Sequence, residues 1–324
     1  MKWIQKNIFW LLLGGANFAV LAGALWFLTS DRDFSMNQKK NSWIIGQSYM
    51  TMNNEFYTIM SEEINARIEA EGDRTIFRNP ALDEERQREQ IEEMLDQGID
   101  LLVVTPVNWE SLTPVLSRAR NEGVKILVLD TNIYDDQLAD CTITSDNYRA
   151  GQIVGEYFLQ QNDQARIVVM THEATKSGRD RVQGFLDVVE GQEGMEIVAS
   201  IGCEGQLEIA MPRMQEAIEK GLEFDQVFCL NDLASVGVVA ALEAEGILDQ
   251  VGVYGVDGSP DAKALIKEGM MEATAAQFPS LIGKQAAEAI YDLLNGEEVE
   301  ENMLVPVELV TRDNVEDYGI DRWQ

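Results

Sequence analysis

The chain has 324 residues, enough for two lobes of ordinary size, and carries 56 acidic against 25 basic residues for a formal net charge of −31. So acidic a surface repels phosphate backbones and sets nucleic acid aside as a partner. The three cysteines, Cys141, Cys203 and Cys229, are odd in number and lack metal-ligand spacing, so there is no disulfide framework and no cysteine metal site to read.

Residues 1–30 are of different material from the rest. Lys2 and Lys6 precede a run from Ile8 to Leu28 that holds no charged residue. A basic flank before an apolar run is either a signal peptide or a membrane-spanning helix. Ala22-Gly23-Ala24 fits a cleavage site, whereas Leu25-Trp26-Phe27-Leu28 extends the run to a bilayer's span and favours an uncleaved anchor. The basic flank stays inside, so both readings put the chain beyond Thr29 outside the cytoplasm. Residues 31–42 are polar and read as a linker.

Trp43-Ile44-Ile45-Gly46 is an apolar run that reads as a buried strand. A polar loop comes next, and from Phe56 a helical pattern takes over in Phe56, Ile59, Met60 and Ile64, with Asn53 or Asn54 as N-cap. This is the first βα unit of a parallel sheet, in which ligands sit outside the carboxyl ends of the strands. The remaining chain repeats the unit. Expected strands lie at 74–78, 99–104 and 124–129, and expected helices at 83–97, 109–121 (capped by Asn108) and 148–160. A second round has strands at 166–170, 196–200, 226–230, 252–256 and 273–276 and helices at 177–189, 207–220, 234–245 and 262–268. A helix at 281–294 and a last strand at 305–310 close the chain. Repeated βα units imply α/β parallel sheets in two similar lobes.

The strand ends gather Asn53 or Asn54, Asp130, Arg181, Asn231, Asp257 and Gln277. Amides, carboxylates and guanidinium are planar groups with two fork-like sites and suit vicinal hydroxyls. Phe56 and Tyr57 supply faces for the C–H side of a sugar ring. Singly, Asp130, Asn231 and Asp257 are good turn or cap residues and Arg181 a good surface ion-pair residue. Their recurrence at successive strand ends is what suggests a site. No G-x-G-x-x-G follows a strand, and there is no Walker loop, H-E-x-x-H or G-x-S-x-G, so nothing points to an enzyme, a cofactor or a metal. The only histidine, His172, reads as incidental, and Cys203 as a loop thiol.

Seven stretches taken together resemble the ribose-binding-protein-like type I periplasmic binding proteins. They are Asn53-Asn54-Glu55-Phe56-Tyr57, Ile126 to Asp130, Ser145-Asp146-Asn147 with Gly151, Arg179 to Phe185, Val227 to Asp232, Tyr254 to Pro260, and Ala276-Gln277-Phe278-Pro279. The likeness runs colinearly over about residues 43–311. It implies two Rossmann-like lobes joined by a three-crossing hinge, with crossings near Ser145-Asp146, Gln277-Phe278 and Glu308-Leu309. It assigns 43–145 plus 278–308 to an N-terminal lobe and 146–277 plus 309–324 to a C-terminal lobe. It also implies ligand contacts by Asn54, Phe56, Tyr57, Asp130, Arg181, Asn231, Asp257 and Gln277. Glu55, Thr131 and Gly205 depart from the family pattern, where a proline, an arginine and an aromatic are usual, and they leave the sugar's identity open.

The expected protein is extracytoplasmic. It closes on a monosaccharide or polyol and presents it to the membrane permease of an ABC importer. The alternative is a membrane-anchored sensor feeding a receptor or histidine kinase.

Overall fold

The computed structural model describes residues 42–324. The segment expected to be a leader or anchor, and the linker up to residue 41, lie outside the described residues. Among those described, no helix is long and apolar enough to cross a membrane.

The first lobe runs β1 (Ile44–Ser48), α1 (Glu55–Glu71), β2 (Arg74–Arg78), α2 (Glu84–Asp96), β3 (Leu101–Val104), α3 (Thr113–Asn121), β4 (Lys125–Leu129) and β5 (Cys141–Ser145). The second runs α4 (Asn147–Gln161), β6 (Ala165–Thr171), α5 (Lys176–Val189), β7 (Met195–Gly202), α6 (Leu207–Glu219), β8 (Gln226–Cys229), α7 (Asp232–Ala244), β9 (Gly252–Asp257), α8 (Pro260–Glu268) and β10 (Ala273–Ala276). Then α9 (Pro279–Asn295) and β11 (Asn302–Val305) return to the first lobe, and β12 (Glu308–Thr311) to the second.

The first sheet has the order β11-β5-β4-β3-β1-β2 and is parallel throughout. The second has the order β12-β10-β9-β8-β6-β7, with only β12 antiparallel. Parallel strands covered on both faces must be apolar along their length. Leu101-Leu102-Val103-Val104 meets this condition, with all four residues buried. Ile282, Ala286, Ile290 and Leu293 of α9 join Met60, Ile64 and Ile68 of α1 in the first lobe's core.

Two local departures from the expected elements have physical causes. The strand expected at 305–310 is two strands, because Pro306 has no N–H to donate to a ladder. The third crossing therefore runs through Pro306-Val307, immediately before the expected Glu308-Leu309. The helix expected from Trp109 starts at Thr113 instead. Asn108 closes a turn by accepting from the Glu110 N–H at 3.0 Å, and the Trp109 N–H is spent on the Ala174 carbonyl of the second lobe at 3.0 Å.

One helix pair of the second lobe sets where Arg181 stands at the cleft. A Cβ on Gly151 of α4 would lie 1.9 Å from the Arg181 carbonyl oxygen, and one on Gly184 of α5 would lie 2.0 Å from that of Tyr148. Only glycine allows two backbones so close. The contact holds Arg181 against Asn147 at the hinge, where Arg181 Nε donates to Asn147 Oδ1 at 2.8 Å.

Several contacts draw the lobes together. Thr131 Oγ1 accepts from the Ser177 N–H at 2.9 Å. The Arg179 guanidinium lies 5.3 Å from the centre of the Trp109 ring, which Tyr134 meets edge-on. At the far end of the chain, Trp323 Nε1 donates to Glu55 at 3.0 Å and the indole meets Phe56 edge-on, both in the first lobe. Its neighbour Gln324 donates to the carbonyls of Asp257 and Gln277. Lys263, fully buried, anchors this segment by donating to Arg322 O at 2.7 Å and Gln324 Oε1 at 3.0 Å.

Candidate binding site

All eight residues singled out from the sequence line one cavity of about 40 Å³ between the lobes. Three come from the start of α1. Asn54 is its N-cap, with Oδ1 accepting from the Phe56 N–H at 3.0 Å. Phe56 and Tyr57 are buried on its first turn, edge to face with one another. Asp130 follows β4, and its Oδ2 accepts from the Tyr57 hydroxyl at 3.0 Å.

The other four belong to the second lobe. Arg181, 5% exposed, is far from a surface ion-pair residue. Its Nη1 donates to Asp257 Oδ1 at 3.1 Å and to the Leu230 carbonyl at 3.2 Å. The same Asp257 oxygen accepts from Gln277 Nε2 at 2.6 Å. Asn231 lies on the wall, but both ends of its amide already have protein partners. Its Oδ1 caps α7 through the Ala234 N–H, and its Nδ2 donates to the Gly205 carbonyl.

Neither Asp130 nor Asp257 caps a helix. Both stand at a strand end with positive φ, 67° and 142° respectively, a backbone region that side-chain-bearing residues rarely adopt. Such strain costs on the order of 1–3 kcal/mol per residue and concentrates at ligand clamps.

The electrostatics are unbalanced toward negative charge. Burial raises the Asp257 pKa to about 7, against the pull of Arg181 and with the push of Asp232 and Asp130. Burial also raises Asp130, opposed by Arg181 and by the Tyr57 hydrogen bond. Asp232 stands behind the wall and is raised by burial as well, although it accepts from the Ser259 N–H and the Thr274 hydroxyl.

Sequence reasoning leaves several wall residues unassigned. Thr175, Ser177 and Glu204 have no distinguishing pattern, though a threonine before a helical run is a recognisable cap, and Thr175 does cap α5. His172, which reads as incidental in the sequence, also lines the cavity, and burial lowers its pKa to about 4. Asn147 braces Arg181, and it stands inside the Ser145-Asp146-Asn147 stretch already singled out. Cys203, expected as a loop thiol, follows β7 but is fully buried.

A family model described as a periplasmic binding protein domain matches residues 45–298. The chain belongs to that family. Relatives of this family member are themselves binding proteins, and it is a binding protein, not an enzyme. It is 25% identical over 280 residues to the ribose import binding protein RbsB of Bacillus subtilis, covering 86% of this chain and 90% of that one. It is 29% identical over 275 residues to the D-ribose/D-allose-binding protein of Pseudomonas aeruginosa, covering 80% and 85%. Among solved structures, an ABC transporter solute binding protein from Bacillus halodurans with bound myo-inositol superposes with a TM-score of 0.80 at 27% identity, over 86% of this chain and 97% of that one.

Proposed function

We propose that this protein binds a monosaccharide or related polyol between its lobes and presents the closed form to the permease of an ABC importer outside the cytoplasm. The observation that carries the reading is the convergence of Asp130 from one lobe and Arg181, Asp257 and Gln277 from the other on one cavity, beside Phe56 and Tyr57. Carboxylate, guanidinium and amide forks match hydroxyls that both donate and accept. The aromatic pair covers the C–H faces of a ring. Relatives named for ribose and allose binding, and a neighbour holding myo-inositol, support the solute class. The three crossings at Ser145-Asp146, Gln277-Phe278 and Pro306-Val307 then serve as the hinge.

A second reading replaces transport by sensing and is favoured by one sequence feature, the uncharged run from Ile8 to Leu28 after Lys2 and Lys6. Left uncleaved, that run tethers the lobes to the membrane and limits a carrier's diffusion.

Calorimetric titration with pentoses, hexoses and cyclitols tests the solute class, and Asp130→Ala and Asp257→Ala test the site. Each variant is expected to weaken binding by about tenfold to a hundredfold while remaining folded. Unchanged affinity with a lowered melting temperature places the ligand elsewhere.

A further inference from the structure

The cavity is richer in acceptors than in donors. The Asp130 carboxylate accepts one hydrogen bond, through Oδ2 from Tyr57, and nothing among the described residues donates to its Oδ1. Both bonds to the Asp257 carboxylate fall on Oδ1, leaving Oδ2. Gln277 is 1% exposed, its Nε2 is spent on Asp257, and its Oε1 is buried with no partner. A native buried polar atom without a partner calls for a reason, and Gln277 is one of the residues that line the cavity.

The same wall is short of positive charge. Two buried carboxylates, Asp130 and Asp257, face a single guanidinium, Arg181. Asp232 adds a third buried carboxylate close behind. Arg181 is itself committed to Asn147, Leu230 and Asp257. A neutral polyol can give hydroxyl hydrogens to the three waiting oxygens but brings no positive charge, so with it the buried wall must either keep a proton on Asp257 or carry a charge that is costly there. An ammonium group has three donors, no acceptor and the missing charge.

Resting on the sugar-binding reading above, we propose that the solute is an aminated one, an amino sugar or aminocyclitol. Its –NH₃⁺ is held by Asp130, Asp257 and the Gln277 Oε1 atom. Its hydroxyls take the donors that remain on Arg181 and Asn54. Charge-assisted bonds of this kind are about twice as strong as neutral ones, so the amine sets the specificity. The titration of Asp257 near neutrality fits: an incoming cation lowers its pKa and expels a proton. The groups that set this titration are Arg181, Asp232, Asp130 and Gln277.

The test is calorimetric titration of the purified protein with matched pairs. The pairs are D-glucosamine and D-glucose, D-galactosamine and D-galactose, and an amino-deoxy-inositol with its parent inositol. At least one amine is expected to bind tenfold or more tightly than its parent, and Asp130→Asn is expected to shrink that ratio. The amine's binding enthalpy is expected to vary with the buffer's ionisation enthalpy as a proton leaves. If the neutral partner of every pair binds as well as the amine or better, the proposal is overturned and the sugar-binding reading stands. If no compound in the panel binds but a pentose or another neutral sugar does, the proposal alone is overturned, and if none of these binds, both are.

Discussion

Arg181→Met is the perturbation on which the account of the cleft wall depends most. The substitution keeps much of the apolar stem but removes the bonds to Asp257 Oδ1, Leu230 O and Asn147 Oδ1, all in a buried setting. Breaking a buried ion pair from one side costs about 3–5 kcal/mol, because the partner charge is left alone. That cost depends on Asp257 being ionised. Urea denaturation is therefore measured at about pH 8 and about pH 5, on either side of the Asp257 pKa of about 7. The full loss is expected at the higher pH. At the lower pH Asp257 is protonated in wild type and variant alike, so the loss falls to that of the hydrogen bonds, about 1–3 kcal/mol. Adding Asp257→Asn to Arg181→Met is expected to restore part of the stability at the higher pH. A loss below about 1 kcal/mol there, or an equal loss at both values, refutes the idea that Arg181 neutralises this wall.

Two further outcomes are expected. The folded state holds a proton on Asp257 up to about pH 7, whereas the ordinary carboxylate pKa is 3.8, so wild-type stability should fall as pH rises across that window, and Asp257→Asn should flatten the curve. Melting curves of the two proteins across the window check this, and an unchanged slope in the variant counts against it. Gly151→Ala drives a methyl group into the Arg181 backbone, so it should cost about 1–3 kcal/mol or more and weaken ligand binding by displacing Arg181. Denaturation beside calorimetry reads both effects, and a neutral outcome denies the close helix contact.

The alternation of strand and helix is legible because both periodicities are local, and so is the chemistry of the strand ends. Asp130 and Asp257 stand out in the sequence as polar groups that end apolar runs, and the structure brings them to one cavity. The hidden part depends on contacts distant in sequence. Nothing around Trp109 announces that its N–H will meet Ala174 across the cleft, so the local pattern starts the helix four residues early. Arg181 alone reads as a surface residue until Gly151 and Gly184 let two helices close over it. His172 has no partner motif, yet a residue after a strand end needs no motif to line a cleft. Pro306 is visible in the sequence, but the apolar residues on either side of it mask the break it makes.

Trp109 and Trp323 each touch both halves of the molecule. The first sits beneath Arg179 with a buried indole nitrogen, and the second meets Phe56 while its neighbour Gln324 holds the ends of β9 and β10 in the second lobe. Indole emission follows the polarity around the ring, and on the proposed mechanism opening the cleft would exchange protein for water at both places. The proposed lobe separation would thus be written into the intrinsic fluorescence of the chain. Rapid mixing with solute can time closure without a dye. Replacing one indole at a time by phenylalanine tells whether the cleft mouth and the hinge side move in the same step.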